Sequence, residues 1–299
     1  MTLPSFLIVG AAKAGTTALA DYLGQHREVY FPKAVKESFF LAGLKREDFP
    51  GPGGGCLGRA CETLEAYERL FETAAPGETP GEKCVAYLYY HGRTIPRIRE
   101  ILGQDVRIVI SLRQPADRAY SNYLHHVRDG LEPLPFEEAI GAARRRLAEG
   151  WWWGFDYLGP GFYHDQVKAY LDAFGRERVL VVLYDDFREQ PLQIIQQVCR
   201  FVGVDASFEP NMSERPNVSG MPKHPRWHRF ITGRHSLKAL LKPLLPADLR
   251  RRMVQNLKRR NLRKQMMDPA LRQALTARYR DDILRLQALI GTDLSGWLE

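Results

Sequence analysis

A lysine set inside a glycine-bounded turn is the pattern in this chain with the clearest chemical meaning. The turn reads Gly10-Ala11-Ala12-Lys13-Ala14-Gly15 and is followed by Thr16 and Thr17. It joins the apolar run ending at Val9 to an amphipathic stretch that reaches Leu23. Glycine and alanine let the backbone approach an anion closely, and the first free N–H groups of a helix, at the positive end of its dipole, face whatever lies in the turn. The spacing nearly matches the G-x-x-x-x-G-K-[ST] loop that binds ATP phosphates. Here, however, Thr16 stands where that lysine belongs, and Lys13 lies in mid-loop. An NTPase uses that lysine on the terminal phosphates and the next hydroxyl on Mg²⁺. Moving the charge changes the atom it can reach, so the transferred group need not be a phosphoryl. A turn that only connects strand to helix is the bland alternative, and it leaves the lysine unexplained.

A second anion site is implied downstream. Val106-Arg-Ile-Val-Ile-Ser-Leu112 is a nearly continuous β-branched run of the kind a central parallel strand needs, and Arg113-Gln-Pro115-Ala-Asp117-Arg118-Ala-Tyr120-Ser121-Asn-Tyr123 follows it. Pro115 suits the first turn of a helix, so Arg113 emerges at the carboxyl end of a strand, where ligands of open α/β sheets bind. Ser121 lies on the following helix, and an arginine with a hydroxyl makes an anion site. Two such turns, about a hundred residues apart in the chain, suit a nucleotide with two separated phosphate groups.

These residues resemble a known family. Lys13-Ala-Gly-Thr-Thr17 is similar to the 5′-phosphosulfate loop of sulfotransferases that use 3′-phosphoadenosine-5′-phosphosulfate (PAPS), closest to the carbohydrate branch that includes heparan sulfate sulfotransferases. Arg113 to Tyr123 matches that family's 3′-phosphate motif, R-x-P-x-x-R-A-x-S-x-Y, at every defined position. The resemblance implies that Ala12, Lys13, Ala14, Gly15, Thr16 and Thr17 hold the 5′ end of the donor, and that Arg113 and Ser121 hold its 3′-phosphate. It implies sulfuryl transfer to a hydroxyl or amine, leaving 3′-phosphoadenosine 5′-phosphate (PAP), with Lys13 on the leaving oxygen and no metal required.

The same resemblance supplies the remaining roles. Lys36-Glu37-Ser38-Phe39-Phe40 matches a K-E-x-x-F-F element whose glutamate is the proposed base, so Glu37 inherits that role and Lys36 a supporting one. Glu82-Lys83 with Tyr87 matches an E-K-x-x-x-Y element in which the lysine lies beside acceptor and base. His125 corresponds to a histidine near the acceptor in N-sulfotransferases, able to share or relay the proton. The family's loop over the 3′-phosphate has no matching motif in Pro210 to Lys223, which leaves Lys223 as a weak donor contact. Trp152 and Trp153, within the dense aromatic run Trp151 to Tyr157, are either stacking surfaces for a sugar or aromatic acceptor, or core filling beneath a loop.

Positioning these residues takes an α/β fold. The expectation is a P-loop-like three-layer domain over 1–299, with a mostly parallel sheet flanked by helices, a core over about 1–210 and a helical C-terminal region over about 211–299. Strands are expected at Ser5–Val9, Glu28–Phe31, Gly81–Leu88, Val106–Leu112 and Val179–Tyr184. Helices are expected at Gly15–Gly24, Glu62–Thr73, Arg93–Leu102, Leu134–Glu149, Phe162–Phe174, Pro191–Val202 and Leu271–Leu289. Pro50 to Gly58, with its glycine-rich centre, reads as a loop, either a flap over the site or an insertion.

Composition narrows the partners. With 299 residues and 44% hydrophobic content the chain can bury a large core, and no apolar run reaches membrane-spanning length. Its start, Met-Thr-Leu-Pro-Ser, shows no basic region or cleavage site, which leads to an expectation of a cytoplasmic enzyme, bacterial by contrast with membrane-anchored Golgi relatives. The four cysteines have no metal-ligand spacing, so thiols are expected. The net charge of +8 is concentrated in Leu249 to Lys264, which reads as a solvated helix without the aromatics of a single-strand binder, so no nucleic acid partner is expected. The expected partner is a small-molecule or glycan acceptor. Two rivals remain, a small-molecule kinase using Asp185 and Asp186, and a non-catalytic nucleotide- or RNA-binding protein.

Overall fold

Residues 6–9, 107–112 and 179–183 are rich in Val, Ile and Leu without polar alternation, as strands covered on both faces must be. The computed structural model, which describes residues 2–213, 221–222, 262–263 and 265–299, makes them three adjacent strands of one parallel sheet. The strands are β1 (Phe6–Gly10), β2 (Val29–Tyr30), β3 (Thr79–Lys83), β4 (Arg107–Leu112) and β5 (Val179–Leu183), in the order β2-β3-β1-β4-β5. Phe6 lies opposite Gly81 on one side and Arg107 on the other, and Ile108 opposite Val179. A separate two-residue antiparallel pair joins Met221–Pro222 (β6) to Leu262–Arg263 (β7).

Alternation along the strands divides the core into the two faces expected of three layers. Phe6 and Ile8 of β1 pack with Leu19 and Leu23 of helix α1 (Thr16–Leu23) and with Ile195 and Val198 of the helix Pro191–Val202. Leu7 and Val9 face the opposite layer, which contains Tyr163 and Tyr170 of the helix Tyr163–Phe174 and Tyr279 of the helix Pro269–Ile290. That last helix opens on an Asp268 side chain accepting from the Leu271 amide at 3.0 Å. It also braces the end of β4. Gln114 donates to Thr276 at 2.9 Å and to the Trp297 carbonyl at 3.2 Å, and Tyr163 donates its hydroxyl to the Arg113 carbonyl at 2.9 Å.

The largest difference from the sequence reading is at Gly81–Leu88. The strand there ends at Lys83, the Cys84 amide donates to the Ile8 carbonyl at 3.1 Å, and Ala86–Tyr89 is a helical turn. An apolar run of this length has no periodicity to separate a buried strand from a buried turn of helix. The helix expected over Glu62–Thr73 is confined to Leu64–Glu68, capped by the Thr63 side chain. Gly54–Arg59, read as irregular loop, winds into 3₁₀ turns. The helices His91–Ile101 and Pro115–Arg128, the latter called α5 below, follow the expected positions. Lys223 and most of Leu249 to Lys264 lie outside the described residues.

Candidate functional site

The lysine turn is held against the end of β4 by hydrogen bonds that all end on main-chain carbonyls. The Ala11 amide donates to the Ser111 carbonyl at 2.6 Å, Ser111 Oγ donates to the Ala14 carbonyl at 2.6 Å, and Arg113 Nη1 donates to the Lys13 carbonyl at 3.4 Å. Lys13 has φ of 70° and Gly15 of 84°. A left-handed lysine costs roughly 1 kcal/mol and persists only where its surroundings impose it. A side chain on Gly15 would also collide with the Tyr184 ring, 2.9 Å from its Cβ position, so glycine is required there twice over. The same Tyr184 ring lies 4.8 Å from the Arg113 guanidinium carbon, which it braces from the end of β5.

Arg113 and the lysine turn are therefore direct neighbours. Thr16 and Thr17 open α1 beside them, and the first amides of that helix have no acceptor within it. Ser121, on α5, is buried and its Oγ has no partner among the described residues. A buried hydroxyl without a partner is uncommon, and a phosphate oxygen would satisfy it. The Lys13 ammonium is pushed down to about 8, first by burial and then by the charges of Arg128 and Arg113. A site that strains a lysine, crowds it with cations and leaves a buried hydroxyl open fits an anionic group with more than one phosphate.

Facing this cation cluster from α5 is His125. Its Nδ1 accepts a hydrogen bond from Arg128 Nη2 and lies 3.7 Å from Asp129 Oδ2. Partial burial and the nearby Lys13 charge push the imidazole down to about 3, so it is neutral at ordinary pH.

Glu37 is positioned from β3. Lys83 Nζ donates to Glu37 Oε1 at 2.5 Å, and both side chains are largely buried. They line a cavity of about 180 Å³ with Lys36, Lys33, Asp21 and Thr17. Thr17 is the residue this cavity shares with the lysine turn. One position earlier on β3, Glu82 is buried at the edge of the same cavity. It accepts from Ser38 Oγ, from Tyr67 at 2.6 Å and from Tyr87 at 2.8 Å, and burial raises its pKa above the usual carboxylate range. Tyr87 also accepts from the Leu41 amide at 3.2 Å, so the backbone after Glu37 is fixed at several points.

The chain and its architecture have counterparts in known proteins. A sequence profile described as a sulfotransferase domain matches residues 91–218. A crystal structure of a sulfotransferase from Alicyclobacillus acidocaldarius is 34% identical, covers 100% of both chains and superposes with a TM-score of 0.78. The chain belongs to the sulfotransferase family. Among curated relatives, human bifunctional heparan sulfate N-deacetylase/N-sulfotransferase 3 is 27% identical over 68% of this chain but only 22% of its own length. The mouse N-deacetylase/N-sulfotransferase 4 is 25% identical over 99% of this chain and 31% of its own length. The chain thus spans between about a fifth and a third of the length of those curated relatives.

Family membership does not extend to every expected role. Trp152 and Trp153 are buried, 9% and 3% exposed, and present no open face for stacking. Trp152 packs edge-on against Phe39 and Phe49, at 5.7 and 4.9 Å, and Trp153 stacks on Tyr89 at 5.2 Å. They are core residues because the Gly51–Gly53 segment lies directly on this aromatic run, Gly53 against Trp152 and Gly51 against Trp151. Asp185, proposed for a kinase, lies 3.6 Å from Arg188. Among the described residues no group of three or more His, Cys, Asp or Glu is gathered for a metal, and no helix is long and apolar enough to cross a membrane. Sequence reasoning missed Tyr184, Arg128 and the buried role of Glu82. Of these, only Glu82 had a signal, its place in the E-K-x-x-x-Y spacing.

Proposed function

We propose that this chain transfers a sulfuryl group from PAPS to a hydroxyl or amine of a carbohydrate or glycosylated small molecule. The observation that supports the reading is the 3.4 Å hydrogen bond from Arg113 to the Lys13 carbonyl, which sets two turns a hundred residues apart in the chain side by side. A nucleotide with phosphate at both its 3′ and 5′ positions is the ligand that needs both turns. The curated relatives named above act, by name, on heparan sulfate, which favours a glycan acceptor.

Lys13, the turn amides and the hydroxyls of Thr16 and Thr17 bind the 5′ end, and Arg113 and Ser121 bind the 3′-phosphate. The acceptor's heteroatom bonds to sulfur as the bond from sulfur to the bridging oxygen breaks. That oxygen keeps the electron pair and leaves on PAP, while the acceptor's proton passes to Glu37, oriented by Lys83. Negative charge grows on the bridging oxygen in the transition state, so a cation there lowers the barrier more than it tightens ground-state binding.

The test is transfer from labelled PAPS to pooled acceptors. Lys13→Ala is expected to fold and to lose at least about a hundredfold in rate, the scale of a few kcal/mol of transition-state stabilisation. Glu37→Ala is expected to lose transfer while still binding PAP. Normal turnover by either variant would remove that residue from the mechanism.

A further inference from the structure

Histidines in active sites are usually considered as bases, and His125 stands near the reacting end of the cleft as read above. Its surroundings are unsuited to that work. Nδ1 accepts from the Arg128 guanidinium, a group that cannot give up its proton at ordinary pH. Since Nδ1 uses its lone pair there, the proton of the neutral ring resides on Nε2. Asp129 competes for the same nitrogen. Its Oδ2 lies 3.7 Å from Nδ1, while its Oδ1 accepts from Arg128 Nε at 2.9 Å. Arg128 thus holds both the ring nitrogen and the carboxylate that would otherwise place a proton on it. Among the described residues, the other charged or titratable neighbours of His125 are Lys13 from the turn and His126 on α5.

We propose that Arg128 is a positioning residue that keeps His125 neutral with its proton on Nε2, so that His125 serves sulfuryl transfer as a hydrogen-bond donor beside Lys13 and not as the base. The proposal rests on the sulfuryl-transfer reading for its chemistry but not for the state of the ring. The donor stabilises charge on the sulfuryl and bridging oxygens while the proton released by the acceptor goes to Glu37. This assigns one proton acceptor and one proton-bearing ring to opposite ends of the reacting bond, and it gives α5 a role at both ends of the donor, through Ser121 and His125.

The experiment uses the full chain with ¹⁵N-labelled histidine, the His125 signals being identified by their loss in His125→Asn. In the wild type, between pH 6 and 8, the spectrum should show Nε2 protonated and Nδ1 bare. In Arg128→Ala, Asp129 is released and Nδ1 should become protonated. The transfer rate constant should fall about tenfold, less than full loss of an oxyanion donor, with KM for PAPS little changed. Adding Asp129→Asn to Arg128→Ala should return the ring to the Nε2-protonated state and restore most of the rate. Unchanged His125 signals in Arg128→Ala would overturn the proposal. So would a rate loss lying entirely in KM for PAPS, which would make Arg128 a donor-binding residue. Absence of PAP binding by the wild type would instead overturn the donor reading, and the ring state would still be decided by the spectrum.

Discussion

The two halves of the site are built from different materials. Every contact of the proposed donor cradle ends on a main-chain carbonyl: the Ala11 amide on that of Ser111, and the side chains of Ser111, Arg113 and Tyr163 on those of Ala14, Lys13 and Arg113. The proposed acceptor half is held by side chains reaching one another, Lys83 on Glu37 and the hydroxyls of Ser38, Tyr67 and Tyr87 on Glu82. A carbonyl acceptor is placed by strand order and turn geometry, whatever side chain its own residue carries. A carboxylate held by side chains depends on each of them, so its direction can be retuned by single substitutions. A fixed donor end beside an adjustable acceptor end would let one scaffold keep one donor and change acceptors.

The largest expected effect tests whether the halves are separable. Glu82→Ala leaves three buried hydroxyls without their acceptor, and should lower unfolding free energy by about 3 kcal/mol, read as a shift in denaturant midpoint. Below its melting temperature the variant should bind PAP as the wild type does but transfer poorly, because the backbone carrying Glu37 is no longer pinned. A matching loss of PAP affinity would show that the two halves are one cooperative unit.

The reciprocal change is on the donor side. Arg113→Ala removes a charged donor from a partly buried anion site, worth about 2 kcal/mol, so PAP affinity measured by calorimetry should fall roughly 10- to 100-fold. Thermal stability should move little, since Tyr163 and Gln114 fix the turn through groups that the substitution leaves in place. A large stability loss with intact PAP affinity would reverse the assignment of roles between the halves.

This division also explains what was legible in the chain. β1, the lysine turn and the Arg113 to Ser121 stretch were readable because glycine, proline and charged residues at strand ends act through local backbone geometry. Glu37 and Lys83 were readable only through motif spacing, and the contact between them joins segments 46 residues apart. Glu82 looked like a charged strand start because nothing local says that Tyr67, Ser38 and Tyr87 will surround it. Trp152 and Trp153 could serve equally as surface or core by composition, and what buried them was the Gly51–Gly53 segment, a hundred residues upstream. Arg128 escaped notice because an arginine at the end of a helix ordinarily faces water and favours the dipole there.

The smallest expected effect concerns protons. In the free protein Lys13 titrates near 8, depressed by burial and by Arg128 and Arg113, against an ordinary value of 10.5. Below about pH 8 the ammonium is already charged, so PAP binding takes up no proton at this group. Between that value and the ordinary one the free protein carries a neutral Lys13, and a bound phosphate, by favouring the charged form, draws a proton in. PAP binding measured at pH 9 in two buffers of different ionisation enthalpy should therefore show uptake approaching one proton, and little at pH 7. Affinity should weaken as pH rises above 8, by up to about tenfold per pH unit. The uptake should vanish in Lys13→Ala and persist in Glu82→Ala, because the proton belongs to the donor half alone. Equal uptake in wild type and Lys13→Ala would move the titrating group elsewhere and break the claim that the lysine turn meets the nucleotide's charge.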